Sequence, residues 1–92
     1  FSLKSTTKAR DAYYKYVMEA VAENATNGGL LVGCNFWGWG GYGKPRHERW
    51  QAGDDFTCDP AHEPQGFYSV FASDKSTQKI IQKQTKRMSE IK

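Results

Sequence analysis

The longest purely aliphatic run in this 92-residue chain is Leu30-Leu31-Val32, too short for a membrane span or for the apolar region of a secretion signal. An apolar share of 38% leaves room for only a small autonomous core. Two cysteines and two histidines are present, and Cys34, His47, Cys58 and His62 follow no recognised zinc spacing. Asp54, Asp55 and Asp59 lack the glycine and glutamate of a calcium loop, so no metal and no cofactor is expected. There is no internal repeat and no low-complexity tract. The chain opens on Phe1, and it is expected either to have lost a leader or to be a piece of something longer.

Charge of one sign is scarce in two places. From Asp74 to Lys92 there are five lysines and one arginine against Asp74 and Glu90, whereas Glu48 to Glu63 holds five acids against Arg49. The basic stretch invites a nucleic-acid reading. However, Lys75, Lys79, Lys83 and Lys86 recur at helical spacing opposite an apolar stripe, which is the pattern of a solvated helix face. The aromatic-rich loop is the acidic one and would repel phosphate, so neither a nucleic-acid nor a membrane partner is expected.

Ala9, Ala12, Tyr13, Tyr16, Val17, Ala20 and Val21 fall at the spacing of an amphipathic helix, with Ser5, Thr6 or Thr7 to cap it. It should end between Asn24 and Gly29, where glycine permits a left-handed exit. Leu30 to Trp37 is apolar on both parities except at Gly33 and Asn35, as in a strand covered on both faces. Residues 40–72 show no helical period and hold all three prolines, Pro45, Pro60 and Pro64, which predicts a long ordered loop. Thr77, Ile80, Ile81, Gln84, Met88 and Ile91 mark a second helix, capped by Ser73 or Asp74. Helix, buried strand, long loop, helix is the rhythm of a parallel α/β fold, and a single strand there has no sheet of its own.

The stretch "NFWGWGGYG", residues 35–43, sits at the carboxyl end of the expected strand, where α/β folds bind ligands. Its glycines at 38, 40, 41 and 43 are expected to adopt positive φ and bring backbone close to a ligand. Trp37, Trp39 and Tyr42 offer broad faces with polar rims. Such faces suit sugar rings, which stack through their C–H groups and pair at their edges, and also nucleobases. The alternative is that the aromatics merely plug the mouth of a core. Glu19 and Glu23 lie near a helix end and Glu48, Asp54, Asp55, Asp59 and Glu63 on the loop; none is expected to be catalytic. Asn24-Ala25-Thr26 has the form of a glycosylation sequon, which has meaning only where the source is a eukaryotic secreted protein.

"GCNFWGWGG", then "ERWQAGDD" and "DPAHEPQGFYSVFASDKST", resembles the last strand, loop and helix of endo-β-1,4-mannanases of glycoside hydrolase family 5. "STTKARDAYYKYV" likewise resembles the helix after their seventh strand. The resemblance implies an α/β fold, the C-terminal portion of a (β/α)8 barrel: helix 7, strand 8, long loop and helix 8. Residues 1–92 would then be one segment of a catalytic barrel with no internal domain boundary. It also implies a retaining glycosidase on β-1,4-mannan or glucomannan, extracellular or periplasmic, whose two catalytic glutamates lie upstream of Phe1. On this resemblance Trp37 stacks under the sugar at the cleavage subsite, while Trp39, His47 and Trp50, with Asn35, line the substrate. The partners implied are a mannan and the remainder of the barrel. Cys34 is expected to face the helix layer as a buried free thiol, unbridged to Cys58. The isolated segment is expected to be inactive and to need the barrel, or an oligomer, for order. A carbohydrate-binding module is the alternative, but two helices and one strand fit a β-sandwich poorly.

Overall fold

The computed structural model describes residues 2–91. Its elements, in chain order, are α1 (Lys8–Thr26), β1 (Trp39–Gly41), β2 (Val70–Phe71) and α2 (Lys75–Ser89). The chain forms two compact units: one of Phe36–Asp74 with the N-terminal residues up to Thr6, the other of Thr7–Asn35 with the residues from Lys75 onward. They interleave along the sequence, so no single position divides them.

In the helical unit α1 packs on α2. α2 behaves as its pattern predicts. Thr77 is buried and Ile80, Ile81, Gln84, Met88 and Ile91 are half-buried, while Lys75, Lys79, Lys83 and Lys86 are exposed. α1 is rotated from the expected stripe. Met18, Val21 and Ala22 are the buried residues, whereas Tyr13 and Tyr16 are 66% and 75% exposed. Apolar side chains occur around most of this helix, so spacing alone did not single out the packed face. The true face, Arg10, Asp11, Tyr14, Val17, Met18, Val21 and Ala22, lies about one residue step round the helix and begins with polar groups.

Those polar groups fasten the helices. The Asp11 carboxylate accepts hydrogen bonds from Ser76 Oγ (2.6 Å), Thr7 Oγ1 (3.0 Å) and the Thr77 hydroxyl, and Arg10 donates to Thr77 Oγ1 at 3.2 Å. Thr7 is the N-cap residue, but its hydroxyl serves Asp11 and makes no capping bond to the backbone. The carboxylate also sits in the first turn, where the helix dipole favours negative charge. Burial of Asp11 works against ionisation, but the hydroxyls of Ser76, Thr77 and Thr7 and the charge of Arg10 outweigh it and hold the carboxyl below its ordinary value of 3.8. A folded-state value below the unfolded one stabilises the folded form above the unfolded value and is lost as pH falls through the folded value. In the intact protein the α1–α2 contact is therefore expected to loosen below about pH 4, and Asp11→Asn to flatten that dependence. Amide exchange in the two helices as a function of pH checks it; an unchanged acid profile in Asp11→Asn would contradict it.

At its C-terminus α1 ends as expected. Asn27 N donates to Glu23 O, and Gly28 turns out at φ +76°. The expected strand over Leu30–Trp37 is not formed. Leu30 is 99% and Val32 68% exposed, and Leu31 N donates to the Asn24 side chain. A strand buried on both faces needs neighbouring strands for its backbone groups and layers for its side chains, and the described residues provide neither. Cys34, expected to be buried against a helix layer, is exposed for the same reason; it and Cys58 are both free thiols.

In the other unit, strand structure lies slightly later than expected. β1 pairs parallel with β2, Trp39 with Val70 and Gly41 with Phe71, with an irregularity between them. Flanking bonds extend the pair: Gly38 N to Tyr68 O, Val70 N to Gly38 O and Ala72 N to Gly41 O. The stretch predicted as loop thus contains β2, whose side chains, with Ser69, form the buried floor of the unit. The result is a partial α/β piece.

Candidate functional site

The loop between β1 and β2 is held by side chains because it has few backbone ladders. Asp59, buried, accepts from Tyr68 N (2.6 Å) and Gly66 N (2.8 Å), from Ser69 Oγ (2.5 Å) and from Thr57 Oγ1 (3.3 Å). Gln65, also buried, donates through Nε2 to the carbonyls of Pro60 (2.8 Å) and Glu63 (3.2 Å) and accepts from Thr57 Oγ1 at 2.7 Å. Its own N–H reaches Glu48 O. Two buried side chains thus satisfy the turn from Thr57 to Ser69, in which Pro60 and Pro64 can donate nothing. This explains why "DP…EPQG" is the most distinctive part of the sequence. Asp59 is a fastening group and not a loose acid. The thiol of Cys58 is raised above its ordinary value of 9.0, by burial first and by the charge of Asp59 second, which leaves it a poor nucleophile.

With that floor in place the aromatics turn outward. Trp37 is 71% exposed, Trp39 54% and Tyr42 93%, so among the described residues they plug no core. The Trp37–Gly38 peptide is cis. The glycines between them are needed mainly for internal packing. A Cβ at Gly38 would strike Cys58 Sγ, one at Gly40 the Phe71 ring, and one at Gly43 the carbonyl of Phe56. Of these four, Gly41 alone has positive φ, +64°, which corrects the expectation for the others. The close approach those glycines permit is to the chain's own loop.

Trp50 is half-buried and stacks on Phe56, with ring centroids 5.6 Å apart and planes 12° apart. Its indole N–H is buried and has no hydrogen-bond acceptor among the described residues. His47 is half-exposed and lies against Asp54, with Nδ1 at 2.9 and 3.1 Å from the two carboxylate oxygens. The His47 hydrogen bond is the main reason the Asp54 carboxyl lies below its ordinary value of 3.8; burial opposes, while the Gln51 N–H and the charges of His47 and Arg46 assist. Asp55 accepts from Lys44 N and pairs with Arg46 at 3.4 Å. Trp37, Trp39, His47 and Trp50 all belong to this unit; Asn35, exposed, belongs to the helical one. Sequence reasoning missed the Trp50–Phe56 stack and the role of Asp54. Two aromatics, Trp50 and Phe56, bracketing Asp54 and Asp55 in "RWQAGDDF" were the available signal.

Across residues 1–92 the chain matches the glycoside hydrolase family 5 β-mannosidase-like family, and it belongs to that family. Among proteins of curated function, none matches it. Among solved structures it is similar to a glycoside hydrolase family 5 mannosidase from Rhizomucor miehei, at 31% identity and a TM-score of 0.77 over 96% of this chain and 21% of that one. Glu-to-Ala variants of that enzyme match at the same identity. One gives a TM-score of 0.76 over 95% and 20% of the two chains; the other, in complex with mannosyl-fructose, gives 0.71 over 95% and 21%. The chain spans about a fifth of the length of these relatives.

Proposed function

We propose that this chain is the C-terminal portion of the catalytic (β/α)8 barrel of a retaining glycoside hydrolase that cleaves β-1,4-mannan or glucomannan internally. In this reading α1 is helix 7, the segment through β1 is strand 8, and α2 is helix 8. The observation that carries it is the exposure of Trp37, Trp39 and Tyr42, close together in a chain of this family. Broad exposed aromatic faces beside polar loop groups are what a sugar chain stacks on. The mannosyl-fructose bound by one solved relative supports a mannose-containing substrate. Trp37 lies under the sugar at the cleavage subsite, and Trp39, His47 and Trp50, with Asn35, line the chain on either side.

The chemistry itself belongs to residues outside this segment. A retaining glycosidase uses two carboxyl groups about 5 Å apart, one as acid/base and one as nucleophile. Here Asp59 is buried and fully engaged, Asp54 holds His47, and Asp55 holds Lys44 and Arg46. The segment therefore supplies the substrate-binding wall, and the remainder of the barrel supplies the carboxylates and the neighbouring strands for residues 30–37. A polymer substrate of this kind is met outside the cytoplasm, so the protein is extracellular or periplasmic. Incubating the intact protein with mannohexaose and resolving the products tests the reading. Internal cleavage to a spread of shorter oligomers is expected; binding without cleavage would identify a carbohydrate-binding module instead, and release of single mannose units an exo-acting enzyme.

A further inference from the structure

Among the loop acids, Asp54 is the one that meets His47, a residue of the proposed substrate wall. Its carboxylate faces His47 Nδ1 with both oxygens, and Oδ2 also accepts from Gln51 N at 3.1 Å. Asp54 N donates back to Gln51 O, closing the turn that directly follows Trp50. The Asp54 side chain is 10% exposed while that of His47 is 48% exposed. The acid is therefore held in the loop and the imidazole stands half in solvent.

Chemistry then fixes the proton. An ionised carboxylate only accepts, so Nδ1 must carry the hydrogen shared with Asp54. The lowered ionisation range of Asp54 keeps it in that acceptor form at neutral pH. In the neutral ring Nε2 is left as a directed acceptor, and in the protonated ring as a donor. A sugar hydroxyl both donates and accepts, so it can pair with Nε2 in either state.

Resting on the substrate-wall reading above, we infer that Asp54 is a positioning residue that presents Nε2 of His47 to a sugar hydroxyl on the loop that carries Trp50. The pair makes a polar edge contact on the loop that also carries the Trp50–Phe56 stack, and so discriminates between sugars by the position of one hydroxyl. It acts on binding of the substrate chain and not on bond cleavage. Its effect therefore belongs in KM, and kcat is left alone.

The experiment is a double-mutant cycle in the intact enzyme with a manno-oligosaccharide. His47→Ala should raise KM about tenfold with kcat within about twofold, the size of one lost hydrogen bond. Asp54→Ala should raise KM by nearly as much. The double variant should be no worse than His47→Ala, because Asp54 works through the ring. Asp54→Asn keeps an acceptor for Nδ1–H and should recover most of the affinity even where Asp54→Ala disturbs the turn. Additive losses in the double variant would show that Asp54 merely supports the loop, and would overturn the inference. A silent His47→Ala beside a damaged Trp37→Ala overturns this inference alone. A silent Trp37→Ala in the same assay overturns the substrate-wall reading and this inference with it.

Discussion

Trp37→Ala in the intact enzyme is expected to lower kcat roughly 100-fold, whereas Trp50→Ala should act chiefly on KM, by a few-fold. Trp37 is largely exposed within residues 2–91, so none of the packing described above depends on it, and a thermal melt of the variant separates any stability loss from the kinetic effect. On the proposed reading, stacking beneath the reacting sugar would support the distorted ring of the transition state, and a 100-fold loss in kcat corresponds to about 2.7 kcal/mol. Trp50 is different in two respects. It is stacked on Phe56 and half-buried, so Trp50→Ala removes loop packing worth about 1 kcal/mol. On the proposed reading it also lines an outer subsite, where substrate and transition state would be bound alike. Steady-state kinetics of the two variants on one substrate check the ranking, and equal losses in kcat would refute it.

The largest effect on stability is expected from Asp59→Ala. Tyr68 N, Gly66 N and the Ser69 hydroxyl all donate to this carboxylate within a buried setting. Charge-assisted bonds contribute more than neutral ones, and donors left unpaired away from water add a further penalty. A loss of about 3–5 kcal/mol follows, comparable to breaking a buried ion pair. Because Cys58 N also depends on Ser69 Oγ, at 2.9 Å, the damage should spread towards Gly38 and β1. Gln65→Ala should behave similarly but less severely, its partners being neutral carbonyls. Chemical denaturation of the intact protein with each variant measures both; a loss below about 1 kcal/mol for Asp59→Ala would show that solvent replaces the network.

Legibility in the sequence followed the strength of the local pattern. The packed stripe of α2 could be read because lysines mark the opposite face, although Ile91, counted in that stripe, lies beyond the helix end at Ser89. α1 was found at the right place and with the right ending, and Val17 and Val21 of its expected stripe lie on the packed face, but Ala9, Ala12, Tyr13, Tyr16 and Ala20 are exposed. Tyr13 and Tyr16 satisfy helical spacing as well as Met18 and Val21 do, and the Asp11–Ser76–Thr77 contacts that choose between them join residues far apart in sequence. The residues before β1 carry a strand's composition, but pairing is a property of two segments, and composition cannot say where the partner lies. β2 was hidden inside a proline-rich loop. Asp59 and Gln65 have no periodicity at all; only the distinctive "DP…EPQG" wording marked them, and their function became plain through the hydrogen bonds they make. The exposure of Trp37, Trp39 and Tyr42 was legible in advance, because tryptophan among glycines is an unfavourable arrangement for a core.

The central claim is that this segment is the binding wall of a barrel glycosidase and that its catalytic carboxylates lie outside it. Release of reducing ends from β-1,4-mannan, measured side by side for the intact protein and for the purified 92-residue chain, tests it most directly. The intact protein is predicted to release them and the 92-residue chain to release none, since removing the carboxylate pair removes the chemical step. Hydrolysis by the 92-residue chain alone, or none by the intact protein, would contradict the account.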